Sequence, residues 1–300
     1  MRLLTFVSDD GPRAGTFVSD GTIVSLRDLV REGPSDMVSV IEQFDGIRDE
    51  IRAAASRARG GIDPRRAKLL APIPIPRRNV FCVGWNYSEH FQEGANMRAA
   101  QGAPGQQEIP EYPALFSKNP AAVTGPDADV LFPSPHSAQL DWEVELAVVI
   151  GRPGRDIAEA AAMQHVFGYT CANDVSVRDV QRRHGGQWFK GKNFDTHLPM
   201  GPWIVTADEL DPSALRVQTR LNGVTKQDSN TRFMVFKIPR LISEFSAGCR
   251  LQPGDMMITG TPEGVGFARK PPEFMKPGDV VEVEIEGIGV LRNRVREGRS

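Results

Sequence analysis

Leu140-Asp-Trp-Glu-Val-Glu-Leu-Ala-Val-Val-Ile-Gly151 begins as an alternation of acidic and apolar residues and ends as an unbroken apolar run. Side chains on a strand point alternately to its two faces. Leu140, Trp142, Val144, Leu146 and Val148 therefore share one face, and Asp141, Glu143, Glu145, Ala147 and Val149 share the other. An apolar continuation on both faces marks a strand buried on both sides. Carboxylates entering such a strand must be paired or must hold a cation, because isolated buried charge is costly. Oxygen ligands alone suit Mg²⁺, which keeps positions open for water or substrate. The competing reading is a half-exposed strand with a solvated acidic face. That reading fits Val281-Glu-Val-Glu-Ile-Glu286, which leads into the hairpin turn Glu286-Gly-Ile-Gly289 with no other reactive residue beside it.

Working outward, a second apolar run, Val166-Phe-Gly-Tyr-Thr-Cys-Ala-Asn-Asp174, ends on a third acid. Asp174 precedes a helix-like stretch, Val175 to Arg183, and could serve as its N-cap. Arg178 and Gln181, three apart, would share a face of that helix. A further helical stretch runs from Ile157 to Met163. Other short β-type runs are Val80–Val83, Trp203–Thr206, Met256–Thr259 and Val280–Ile285, separated by Gly and Pro turns. Residues 1–70 read as a small N-terminal α/β module. Strand-like runs Leu3–Val7 and Gly15–Val18 flank a turn, and Met37, Val40, Phe44, Ile47 and Ile51 recur at helical spacing. Leu70-Ala-Pro-Ile-Pro-Ile-Pro-Arg-Arg78 is expected to link it to a catalytic domain over 71–300. Runs of short strands with few helices predict an α+β, β-rich fold, not a doubly wound parallel sheet.

A net charge of -2 gives no basis for nucleic-acid binding. No apolar run reaches the roughly 18 residues of a membrane span, and the N-terminal stretch lacks the apolar core and cleavage site of a secretion signal. Cys82, Cys171 and Cys249 form no Cys-x-x-Cys pair and read as buried reduced thiols. A cytoplasmic protein is expected. Glu93 to Pro113, rich in Gly, Ala, Gln and Pro, reads as a long irregular loop, and such loops are often functional.

Together the segments resemble the fumarylacetoacetate hydrolase family from about Asn79 to Val295. The motifs are Val83-Gly-Trp-Asn-Tyr87 with His90, Phe116-Ser-Lys-Asn-Pro120, Trp142-Glu-Val-Glu-Leu146, Asn173-Asp174 with Arg178-Asp-Val-Gln181, Lys190-Gly-Lys-Asn-Phe194, Pro253-Gly-Asp255 and Thr259-Gly-Thr-Pro-Glu-Gly-Val-Gly266. The glycine-rich last motif is not a phosphate loop, because no Gly-Lys-Ser/Thr follows its glycines. The resemblance implies a β-roll catalytic domain, a homodimer, and one divalent metal on Glu143, Glu145 and Asp174. Mg²⁺ is expected there, with Mn²⁺ or Ca²⁺ as substitutes. It also implies Lys192 as the cation beside the reacting oxygen, although Lys190 would share its face in a strand. Tyr87 and Thr261 would contact substrate.

His90 and Glu93 resemble the His-x-x-Glu pair on the lid of acylpyruvate hydrolases and oxaloacetate decarboxylases. A histidine near neutral pH is suited to deprotonate water, and a carboxylate orients it and raises its basicity. Glu263 is a second candidate for that orienting role. The expected reaction is hydrolysis of a C–C bond in a small 2,4-dioxo acid with release of pyruvate. His90 would activate water, Lys192 and Gln181 would stabilise the oxyanion, and Arg178 would position the substrate. Decarboxylation, (de)hydration or isomerisation of a 2-oxo acid would use the same ligands. Trp85 departs from the smaller or aliphatic residue usual in the family, which leaves the substrate open.

Overall fold

A computed structural model describes residues 1–31, 33–100 and 108–298, apart from the side chains of 95–100. Its chain is built around an 11-stranded sheet. The strand order along its main path is Ile23–Ser25, Gly11–Phe17, Arg2–Ser8, Leu198–Thr206, Val166–Asn173, Val144–Ile150, Met256–Ile258, Val80–Gly84 and Ala114–Lys118. A 5-stranded sheet packs beside it, running Val224–Asn230, Arg216–Leu221, Val280–Ile285, Gly289–Glu297 and Asp129–Phe132. Large sheets with few helices make this the α+β, β-rich fold expected from the sequence.

Val144–Ile150 lies at the centre, buried throughout. Val144, Leu146, Val148 and Ile150 pack into one core cluster, while Ala147 and Val149 pack into another on the opposite face. Two apolar faces explain why alternation gives way to a continuous apolar run. The strand is not continuous from Leu140, however. Leu140–Asp141 pairs instead with Ser176–Val177, and the chain breaks at Trp142-Glu143. Trp142 fills a third cluster with Leu140, Val175 and Val177.

Several local expectations are revised. The helix expected from Val175 starts at Arg178, because Ser176 and Val177 are held in that two-stranded pair. Asp174 thus directly follows the strand Val166–Asn173 and caps no helix. The stretch from Ile157 condenses to a helical turn, Glu159–Ala162, followed by a 3-10 turn at Met163–His165. His90 and Glu93 lie on a helix, Ser88–Ala100, and not in a loop. Of the rest of the expected irregular segment, 101–107 lies outside the described residues and 108–113 is neither helix nor strand. Lys190 and Lys192 sit in a helical turn, Phe189–Lys192, so strand alternation does not relate them. Cys249 is exposed, unlike Cys82 and Cys171.

The N-terminal residues join the large sheet directly: Arg2 and Leu3 pair with Val205 and Ile204. Leu3, Val40 and Ile51 share a core cluster with Val80, Val149 and Leu198. The proline-rich stretch after Leu70 is no free tether either. Leu69–Leu70 pair with Arg2–Ser8, Ala71 and Ile73 are buried, and the Thr5 hydroxyl donates to the Pro72 carbonyl at 2.6 Å. No described helix is long and apolar enough to cross a membrane.

Candidate active site

Strand register assembles the site. Val144 pairs with Asn173 and Glu145 with Ala172, which sets Glu143 opposite Asp174 where the two antiparallel strands end. The Asp174 N–H donates to the Glu143 carbonyl at 2.9 Å, and the Glu143 N–H donates to Asn173 Oδ1 at 3.0 Å. Glu145, two residues on from Glu143, projects to the same side. Oxygens of Glu143, Glu145 and Asp174 all lie within 4.8 Å of one another, and all three residues are buried.

Three buried cations surround them. Lys192 Nζ donates to Glu143 Oε2 at 2.7 Å and to Asp174 Oδ2 at 2.6 Å. Lys118 Nζ donates to Asp174 Oδ1 at 2.7 Å and to the carbonyls of Val175 and His197 at 3.0 and 2.6 Å. Arg178 donates from Nε to Asp141 Oδ2 at 2.7 Å, and its Nη2 lies 2.7 Å from Glu143 Oε1. Its Nη1 donates to Gln181 Oε1 at 3.3 Å. Arg178 lines the cavity, and these contacts tie its guanidinium to Asp141, Glu143 and Gln181, with Nη2 paired to Glu143 by charge and not by a hydrogen bond.

The four carboxylates Asp141, Glu143, Glu145 and Asp174 thus face three cations, and the imbalance falls on Glu145. Burial, then the charges of Asp174 and Glu143, push its carboxyl well above the ordinary range. Burial alone would raise Glu143 too, but Lys192 and Arg178 hold it well below. Burial likewise lowers Lys118, whereas Asp174 and Glu143 outweigh burial at Lys192 and raise it. Three converging oxygen donors with one surplus negative charge fit a divalent cation of the Mg²⁺ or Mn²⁺ kind.

The glycine-rich stretch closes the other side. The Gly260 N–H donates to Glu145 Oε2 at 2.6 Å. Gly260 has φ +92°, and a Cβ there would meet the Asn86 Cβ at 2.7 Å, so glycine is required. Asn86 ties this stretch to the chain entering the His90 helix, donating to the Thr259 carbonyl at 2.7 Å. Thr261 lines the cavity, and its hydroxyl accepts from Gln227 Nε2 at 2.8 Å. Asp141 Oδ1 receives the Gly266 N–H at 2.7 Å and Oδ2 the Phe267 N–H at 3.0 Å, which links the stretch to Arg178.

A cavity of about 310 Å³ opens over the carboxylates, lined by Glu143, Glu145, Lys192, His90, Gln181 and Thr261 among others. Tyr87 is not on this wall; it is 1% exposed and packs into the core with Val83 and Val144. Glu93 Oε2 lies 3.6 Å from His90 Nδ1, beyond hydrogen-bond distance, and Nδ1 is buried without a hydrogen-bond partner among the described residues. Both Glu93 oxygens instead receive the Gly264 N–H, at 2.9 and 3.1 Å. Glu263 is half-buried; burial, then Glu89 and Glu93, raise its carboxyl above the usual value. Glu93 thus comes within ion-pair distance of His90, while the charge of His90 also acts on Glu263. Lys190 is exposed and lies over the Phe194 ring at 4.9 Å.

Lys118 and Asn86 stood in quoted motifs, and Asp141 on the acidic face, yet sequence assigned none of them a role. Partnership across 56 residues, as between Lys118 and Asp174, leaves no local trace. Trp188 and Phe267, also on the wall, carried no signal.

A β-rich fold that presents three buried carboxylates and an adjacent lysine beneath an open cavity defines a class of protein able to hold a divalent cation there. The family model for the fumarylacetoacetate (FAA) hydrolase C-terminal region matches residues 79–296, and the chain belongs to this family. It is 42% identical over 300 residues to oxaloacetate tautomerase FAHD2A, mitochondrial, of Bos taurus, covering 98% of this chain and 91% of that protein. It is 43% identical over 229 residues to oxaloacetate tautomerase YisK of Bacillus subtilis (strain 168), covering 76% of this chain and 73% of that one. Among solved structures, maleylpyruvate hydrolase from Sphingobium sp. SYK-6, in complex with manganese(II) ion and pyruvate, superposes with a TM-score of 0.79. The two are 32% identical, with coverage of 100% of each chain. The chain is therefore an enzyme of this family.

Proposed function

We propose that this enzyme interconverts the enol and keto forms of a small 2-oxo acid, with Mg²⁺ held by Glu143, Glu145 and Asp174. When bound, the cation supplies Lewis-acid polarisation of the substrate's carboxylate and 2-oxo oxygens. Lys192 Nζ, fixed between Glu143 and Asp174, brings positive charge to the oxygen that gains negative charge in the enolate. His90 transfers the proton at the neighbouring carbon, and Gln181 and Thr261 orient the acid. The observation that carries this reading is His90 on the wall shared by the carboxylates, its Nδ1 without a hydrogen-bond partner among the described residues. Proton transfer to carbon needs one acid–base group, whereas water activation gains from a hydrogen-bonded partner. The tautomerase names of the relatives support the same choice.

Hydrolysis of a C–C bond in a 2,4-dioxo acid is the second reading, favoured by Glu93 standing 3.6 Å from His90. A small side-chain movement would complete that pair. The test follows loss of enol absorbance of oxaloacetate with Mg²⁺, while pyruvate and CO₂ are measured separately with oxaloacetate and with acetylpyruvate. His90→Ala should slow enol loss about a hundredfold to ten-thousandfold, the usual contribution of a positioned acid–base group. Full rate in metal-stripped enzyme would sink the proposal, and faster pyruvate release from acetylpyruvate would favour the hydrolase.

A further inference from the structure

Above the carboxylates the cavity wall is aromatic, and the rings form an unbroken series. Lys192 Nζ lies 5.1 Å from the centre of the Phe116 ring, so the series begins at the ionic floor. Phe116 meets Trp188 edge-on at 5.3 Å, Trp188 meets Trp85 at 4.9 Å, and Trp85 meets Phe91 at 5.8 Å. Phe116, Trp188 and Trp85 are only partly buried, yet each lines the cavity. They come from three separate segments: a strand, the lead into a helical turn, and the loop before the His90 helix.

Two features indicate that this wall is built. Trp85 adopts φ +56°, a left-handed conformation uncommon for a bulky side chain. Gly84 beside it has no room for more, since a Cβ there would come within 2.3 Å of the Trp188 ring. A catalytic floor needing only carboxylates, a lysine and a histidine gives no reason for either.

We infer that the Phe116–Trp188–Trp85 wall is a specificity subsite for a flat apolar ring carried by the 2-oxo acid. The substrate class is then an aryl-substituted 2-oxo acid, with its acid head on the carboxylate floor and its ring edge-on to Trp188. Ring pairs of this kind add to the gain from burying the apolar surface itself. The inference rests on the proposed 2-oxo-acid reading for placement of the head.

Calorimetric titration in Mn²⁺ buffer with oxalate, 2-oxobutanoate and phenylpyruvate tests it. Phenylpyruvate should bind wild-type protein at least about tenfold more tightly than 2-oxobutanoate, the scale expected for a buried ring. Trp188→Ala should reduce that preference about tenfold or more, and Trp188→Leu should reduce it less; the second variant also serves if the first does not fold. Equal affinities in the wild type, or an unchanged preference in both variants, overturn the subsite. Failure of oxalate to bind wild-type protein overturns the 2-oxo-acid reading itself, and the subsite with it.

Discussion

Glu145 carries the surplus charge of a buried cluster, and this sets the sign of its contribution to stability. Its carboxyl is raised in the folded protein, so without metal its contribution is fully present below the ordinary 4.5 and is lost as pH rises. Glu145→Gln should raise the melting temperature of the chelator-treated protein near neutral pH and abolish the upward shift on adding Mn²⁺. A variant that keeps the full metal-induced shift would remove Glu145 from the ligand set. Lys118 tests the converse. It is fully buried against Asp174, and breaking a buried pair typically costs about 3–5 kcal/mol. Lys118→Met should lower the urea midpoint accordingly. His197 supplies a third case. Burial lowers its pKa from the ordinary 6.5 to about 3, against the hydrogen bond to the Leu131 carbonyl and with help from Lys118. Below pH 6.5 the unfolded chain binds a proton that the folded protein refuses. The folding equilibrium should then weaken by about tenfold per pH unit towards pH 3. His197→Gln should flatten that slope in urea titrations run between pH 7 and 4.

Among elements, the helix Ser88–Ala100 and the glycine-rich stretch are joined by one carboxylate. Glu93 receives the Gly264 N–H with both oxygens, so Glu93→Ala should speed hydrogen exchange at the Gly264 amide while leaving Gly260 protected. Equal acceleration at both amides would mean the stretch unfolds as a unit. The same elements mark where the sequence was readable. Val144–Ile150 announced itself because burial on two faces leaves a composition that cannot be mistaken; Glu143 and Glu145 came with it, while Asp174 joined them only through the family resemblance. From its own segment Asp174 stood open between a helix cap and a member of the acidic cluster, because its neighbour Glu143 lies across a strand pair. The helical placement of His90 was obscured because Ser88–Ala100 has almost no apolar stripe. The aromatic wall was illegible for a similar reason: its rings meet only in three dimensions, and Trp85 alone stood out.

For the whole molecule, the N-terminal strands are part of the central sheet. Removing residues 1–70 would bare the edge of Leu198–Thr206 and open the core cluster that contains Val149 and Ile258. The fragment 71–300 should therefore be aggregated or lack a cooperative melting transition, as judged by size exclusion and circular dichroism. A folded, monodisperse fragment would establish that the catalytic region stands alone. The register of Val144 against Asn173 has a further consequence, one for how such an enzyme can change over generations. The acid-binding floor is specified by the pairing of two interior strands, and a slip of one residue would turn Glu145 towards the hydrophobic side. Drift there is punished as misfolding before it can be tried as new chemistry. The aromatic wall comes from partly exposed positions on separate segments, where one substitution alters a single ring. Novelty in this scaffold should accumulate at the wall while the floor stands still.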